Sequence, residues 1–160
     1  MVWIVLLLAQ AAVPSQTERG EALFFDAQNG CGSCHALKGK GTAVGPDLTV
    51  IGKLPAAAIA MAVRSTVTQY VQVYKLKSGE SFPGMAGKKD GDNLTLFDLS
   101  KDPAEKKVVP AGDVSASGND KWKHPPSAAK ISPEKLADII GYIKFAATGS
   151  RKAVDPSETQ

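Results

Sequence analysis

The sequence predicts one mainly α-helical domain that carries a small antiparallel β insert over about residues 70–112. Three observations predict it. The chain has 160 residues, long enough for one core and short for two. Apolar residues recur at helical spacing near both ends, most clearly at Leu136, Ile139, Ile140 and Ile143, whereas the period drops to two after Tyr70. Aromatic residues make up only 6% of the chain, which leaves room in the core for a group other than side chains.

Residues 1–13, MVWIVLLLAQAAV, form the one strongly apolar stretch, and they fall short of the ~20 residues that a membrane span needs. A signal-peptide core fits better. Ala9 and Ala11 make an A-x-A site, so residues 1–11 are expected to be cut off and 12–16 to form a linker before a domain over 17–149. No Lys or Arg precedes the apolar run, so an uncleaved anchor is the alternative.

Thr17–Gln28 has a cap candidate in Thr17 and apolar residues at Ala22, Leu23, Phe24 and Phe25, which predicts a short helix ended by Asn29-Gly30. Lys38–Pro46 carries three glycines and a proline and reads as a tight loop. Pro55–Arg64 reads as a second helix, with proline in its first turn and alanines after it. In the insert, Tyr70–Phe82 alternates about a Ser78-Gly79 turn, Asp90–Asn93 makes a second turn, and Leu94–Leu99 and Lys107–Pro110 follow as strands. Ala111–Lys130 reads as a long loop. Ser132-Pro133-Glu134 opens the last helix with cap, proline and acidic first turn, and Gly149 ends it. The polar residues 150–160 are expected to be a disordered tail.

With 19 Lys plus Arg against 16 Asp plus Glu, the +3 charge is too small and too scattered for a nucleic-acid binder. Two cysteines exclude a disulfide scaffold. Their spacing carries the information: Cys31-Gly32-Ser33-Cys34-His35 is C-x-x-C-H, the sequence at which two thiols join the vinyl groups of a haem and the adjacent histidine ligates iron. Three other readings compete. A Cys31–Cys34 disulfide would close a loop of about four residues, worth roughly 2 kcal/mol. A thioredoxin-type pair wants a βαβ context, which the flanking sequence lacks. A zinc site needs a fourth ligand, for which His124 is the other histidine.

From the pentapeptide outward, the sequence resembles the class I cytochrome c family. Arg19–Phe25 is similar to that family's N-terminal helix, which implies packing of Gly20 and Phe24 on Tyr142 of the last helix. Gly45-Pro46-Asp47-Leu48 is similar to its G-P-x-L element, which implies that the Pro46 carbonyl accepts the His35 Nδ1 proton. The β insert before a final helix more narrowly resembles a haem-binding domain of secreted bacterial proteins, often joined to dehydrogenase-like propellers. The resemblance implies a cytochrome c-like helical domain around one covalent haem c, attached at Cys31 and Cys34 and ligated by His35. In that family a Met-Pro pair before the last helix supplies the sixth ligand; here the stretch is Trp122-Lys123-His124-Pro125-Pro126.

His124 therefore ranks first as distal ligand, with Pro125 restraining its backbone. Met85 follows, then Met61, then an open site. Two imidazoles make a more reducing haem than imidazole with thioether. The expected function is a periplasmic or otherwise extracytoplasmic mono-haem carrier of single electrons between protein redox partners, for example a dehydrogenase or terminal reductase, and not an enzyme. It touches a membrane only if the leader stays on. Lys38, Lys40 and Lys53 would surround the haem edge and steer an acidic partner. The rivals are an open sixth site for gas sensing or peroxidase-like chemistry, and an electron-relay module that docks on a dehydrogenase.

Overall fold

The computed structural model describes residues 13–27, 30–65 and 67–160. The expected leader and the Asn29 helix stop lie outside the described residues. Helix α1 (Gln16–Phe24) starts at Ser15, two residues earlier than Thr17 suggests. Ser15 and Glu18 cap each other reciprocally: the Glu18 backbone N–H donates to Ser15 Oγ at 3.3 Å, and the Ser15 N–H donates to Glu18 Oε2 at 2.7 Å. The one-turn helix α2 (Cys31–Cys34) is followed by the hairpin β1 (Ala36–Leu37) and β2 (Lys40–Gly41). Helix α3 (Ala56–Arg64) follows Pro55, and α5 (Pro133–Thr148) runs from the Ser132 cap to left-handed Gly149. The short α4 (Pro126–Ala129) lies just ahead of α5.

The helical core forms where α1 crosses α5. A Cβ at Gly20 would run into the Asp138 carbonyl oxygen and come within 2.8 Å of Tyr142 Cβ, so the backbones meet where there is no side chain. Phe24, fully buried, packs edge-on to Tyr142 at 5.7 Å between ring centres. Arg19 donates to both Asp138 carboxylate oxygens, at 2.8 and 2.7 Å. Leu37, Ile59, Leu136, Ile139, Ile140 and Ile143 complete this core.

The mainly α expectation is overturned. The described residues are 36% helical and 25% strand. Five strands, β3 (Gln72–Leu76), β4 (Ser81–Asp90), β5 (Asn93–Asp98), β6 (Glu105–Pro110) and β7 (Val114–Asn119), form an antiparallel sheet in the order β6-β5-β4-β3-β7. The sheet has its own core of Tyr74, Phe82 and Leu96, flanked by Leu76, Leu94, Val109 and Val114. It runs on to Asn119, past the expected limit of 112, because β7 lies in a stretch that reads as loop. The residues VSASGN carry little strand propensity, and β7 is held by its long-range pairing with β3, Leu76 facing Val114 and Tyr74 facing Ala116. The domain is therefore α+β.

The tail is also corrected: it is packed, not disordered. Gln16 exchanges two bonds with the Val154 backbone at 2.9 and 2.8 Å, while Asp155 caps a 3-10 turn over Pro156–Thr159. Thr159 is fully buried and donates to the Pro133 carbonyl at 2.9 Å. Polar composition hides these contacts because the side chains bond to backbone far away in sequence. Removal of residues 154–160 exposes the base of α5, and urea unfolding is expected to show a loss of about 2–4 kcal/mol. Unchanged stability would contradict this packing.

Candidate functional site

The two cysteines sit three residues apart on α2, so both point from one side of a single turn. They form no disulfide. Burial pushes the Cys31 thiol up to about 11, the opposite of the lowered value that a thiol–disulfide nucleophile needs. Among the described residues no group of three or more His, Cys, Asp or Glu is placed to hold a metal ion.

His35 leaves α2 in extended conformation, and the following loop folds back over it. Lys38 and Gly39 turn the chain with φ of 49° and 78°. The N–H groups of Val44 and Gly45 both donate to the Cys34 carbonyl, at 3.0 and 2.7 Å. A Cβ at Gly45 would stand 2.6 Å from His35 Cε1, so glycine lets the loop lie against the ring. The next residue supplies the partner: His35 Nδ1 donates to the Pro46 carbonyl at 2.8 Å. That bond fixes the tautomer and leaves the Nε2 lone pair for a metal. Burial lowers the His35 pKa, and the Pro46 carbonyl works against that shift.

His124 comes to the same place from the segment between β7 and α4. The neck of the sheet carries it there: the Thr68 N–H donates to the Trp122 carbonyl at 3.0 Å, and the Trp122 indole N–H donates to the Leu99 carbonyl at 3.2 Å. Trp122 packs on the His124 ring at 5.6 Å. The His35 and His124 rings lie 6.1 Å apart between centres, inclined by 30°. A separation of this size would leave room for one metal ion between the two rings, which His35 and His124 would then hold together. Burial lowers the His124 pKa first, and the charge of His35 second. The Ala62 carbonyl, on α3, pulls the other way, yet no bond of normal geometry reaches Nδ1, which is buried without a hydrogen-bond partner. An imidazole kept neutral with a buried nitrogen unsatisfied suits a metal.

The methionines are placed differently. Met61 is 60% exposed on α3, and Met85 lies in β4 opposite Phe97 of β5. Lys38, Lys40 and Lys53 are exposed, with Lys40 3.7 Å from Glu21. Sequence reasoning missed Trp122 and Ala62 as neighbours of His124. Their only signal was that Trp122 stands two residues before it.

The Cytochrome c family model matches residues 17–99, which span α1, the C-x-x-C-H turn, α3 and the first three strands of the large sheet. No curated protein matches the chain.

Proposed function

Because the chain belongs to the cytochrome c family, whose domains bind haem covalently and carry electrons, we propose that it is a mono-haem, extracytoplasmic one-electron carrier with two histidine ligands, His35 and His124. Haem bound there supplies a reversible one-electron couple at iron. The protein does the rest. Cys31 and Cys34 would hold the macrocycle edge, and the Pro46 carbonyl orients His35 and makes it a stronger donor. Trp122 and the sheet neck hold His124 in place, and burial keeps both imidazoles neutral.

The observation that carries the ligand pair is the 6.1 Å separation of the two rings, with a buried His124 nitrogen unsatisfied. Two protein ligands leave no position for a substrate, which favours a carrier over a catalyst, and a second imidazole in place of a thioether favours a low potential. Lys38, Lys40 and Lys53 would steer an acidic face of a protein redox partner, raising the on-rate more than the affinity.

The test is the absorption spectrum of the exported protein in both oxidation states, with and without CO. Two histidine ligands give no far-red thioether-to-iron band and no ready CO binding. His124→Ala is expected to open the iron, so that CO binds on mixing. An unchanged spectrum in that variant sinks the ligand pair, and a thioether band in the parent protein moves the ligand to Met85 or Met61.

A further inference from the structure

Arg64, in the last turn of α3, points its guanidinium at three main-chain carbonyls rather than at a carboxylate. Nε donates to Thr159 at 2.9 Å, Nη1 to Ala129 at 3.1 Å and Nη2 to Ile131 at 3.1 Å. Ala129 ends α4 and Thr159 ends the 3-10 turn of the tail, so the cation faces the negative ends of two helical segments. Among the described residues it makes no ion pair. A half-buried guanidinium held this way locks three separate parts of the chain, because its planar fork fixes direction as well as distance.

One of those parts closes a ring that includes His124. Pro125 follows His124 directly and is the N-cap of α4; α4 ends at Ala129, whose carbonyl Arg64 holds. One half-turn back along α3 from Arg64 is Ala62, whose carbonyl lies beside the His124 imidazole. The path from His124 through α4 to Arg64, and back through α3 to Ala62, contains two prolines and two helices and little slack.

We propose that Arg64 is a positioning residue for His124: by clamping the segment after His124 to the last turn of α3, it fixes the imidazole opposite His35 and slows its departure. This rests on the reading of His124 as a ligand. The bonds of Arg64 go to main-chain carbonyls and not to the ring, so it acts through α4.

The experiment is stopped-flow CO binding to the ferrous haem-loaded protein, where CO enters only when His124 leaves. Loss of three charge-assisted bonds in Arg64→Ala is expected to speed CO binding by roughly tenfold or more, and Arg64→Lys, which cannot span three carbonyls, by less. Val109→Ala, on the far edge strand β6 of the sheet, lowers stability without touching α3, α4 or the neck of the sheet and is expected to leave the CO rate unchanged. In a His124→Ala background, Arg64→Ala should add nothing. The proposal is overturned if Arg64→Ala lowers Tm with the CO rate unchanged, or if Val109→Ala speeds CO binding as much. Should Arg64→Ala fail to accumulate, Arg64→Lys decides alone, and a parental CO rate overturns the proposal. Failure of the ligand reading is distinct: His124→Ala would then leave the spectrum as it was.

Discussion

Gly20→Ala is expected to destabilise the protein by about 2–4 kcal/mol, although alanine is the better helix former by about 1 kcal/mol. The clash wins because of what it meets. The added Cβ would overlap the Asp138 carbonyl oxygen, and Asp138 lies within α5, so nothing flexible can turn aside. The helices must separate. That separation loosens the edge-on contact of Phe24 with Tyr142 and the twin bonds of Arg19 to Asp138, which share the same crossing. For a domain of this size the expected loss lowers Tm by about 5–15 °C. Gly112→Ala is the control: a Cβ there meets nothing within 4 Å, and the change is expected to stay within about 0.5 kcal/mol. A Gly20→Ala protein as stable as the parent would show that the helices do not cross this closely.

The parts of the fold that could be read in the sequence are those fixed by neighbours along the chain. Helix α5 is the clearest case: Ser132, Pro133, Glu134 and Gly149 mark its two ends through local bonds and backbone preference. The C-x-x-C-H turn and the loop to Pro46 are equally local, since the whole unit lies within 16 residues, Cys31 to Pro46. The turns at Gly79 and Gly91 also fall where glycine with positive φ is needed. What stayed hidden depends on distant partners. In β4, Pro83, Gly84 and Gly87 break the look of a strand, yet Gly84 and Gly87 sit where a Cβ would press on Phe97. Strand β7 has small and polar residues and exists because β3 offers an edge. The tail is tied down through Gln16, 138 residues away.

The candidate site divides along the same line. His124 stood out because a lone histidine occupies the place before the last helix where the resembled family has methionine. Nothing in the sequence said that Ala62 of α3 would lie beside it, or that Arg64 would hold the next segment through carbonyls, which every residue possesses. The mainly α expectation failed for a related reason. Helices α1, α3 and α5 carry strong local signals and are legible, while the sheet, built from long-range pairs, reads short in the second half of β4 and at its β7 edge.

Acid titration of the haem-loaded protein is expected to displace His124 only below pH 6.5, the ordinary imidazole value. The sign follows from the causes. Burial disfavours the charged ring, and a protonated His35 beside it would disfavour it further, so the folded-state pKa of His124 lies below the unfolded one despite the pull of the Ala62 carbonyl. The neutral, ligating ring is fully present above the unfolded value and is lost as pH falls through the lower folded value; iron on the same nitrogen pushes that fall lower still. Trp122 shields the ring at 5.6 Å and is itself pinned to the Leu99 carbonyl. Trp122→Ala lets water reach His124, and since burial is the largest cause of the shift, the acid midpoint is expected to rise towards the ordinary value. The readout is the loss of the six-coordinate spectrum against pH, measured beside far-UV circular dichroism so that ligand loss is seen apart from unfolding. A midpoint already near 6.5 in the parent would mean a wet His124 with no metal to hold it. A midpoint that does not move in Trp122→Ala would mean that other groups around the ring exclude the water, and would take from Trp122 the shielding role its packing assigns.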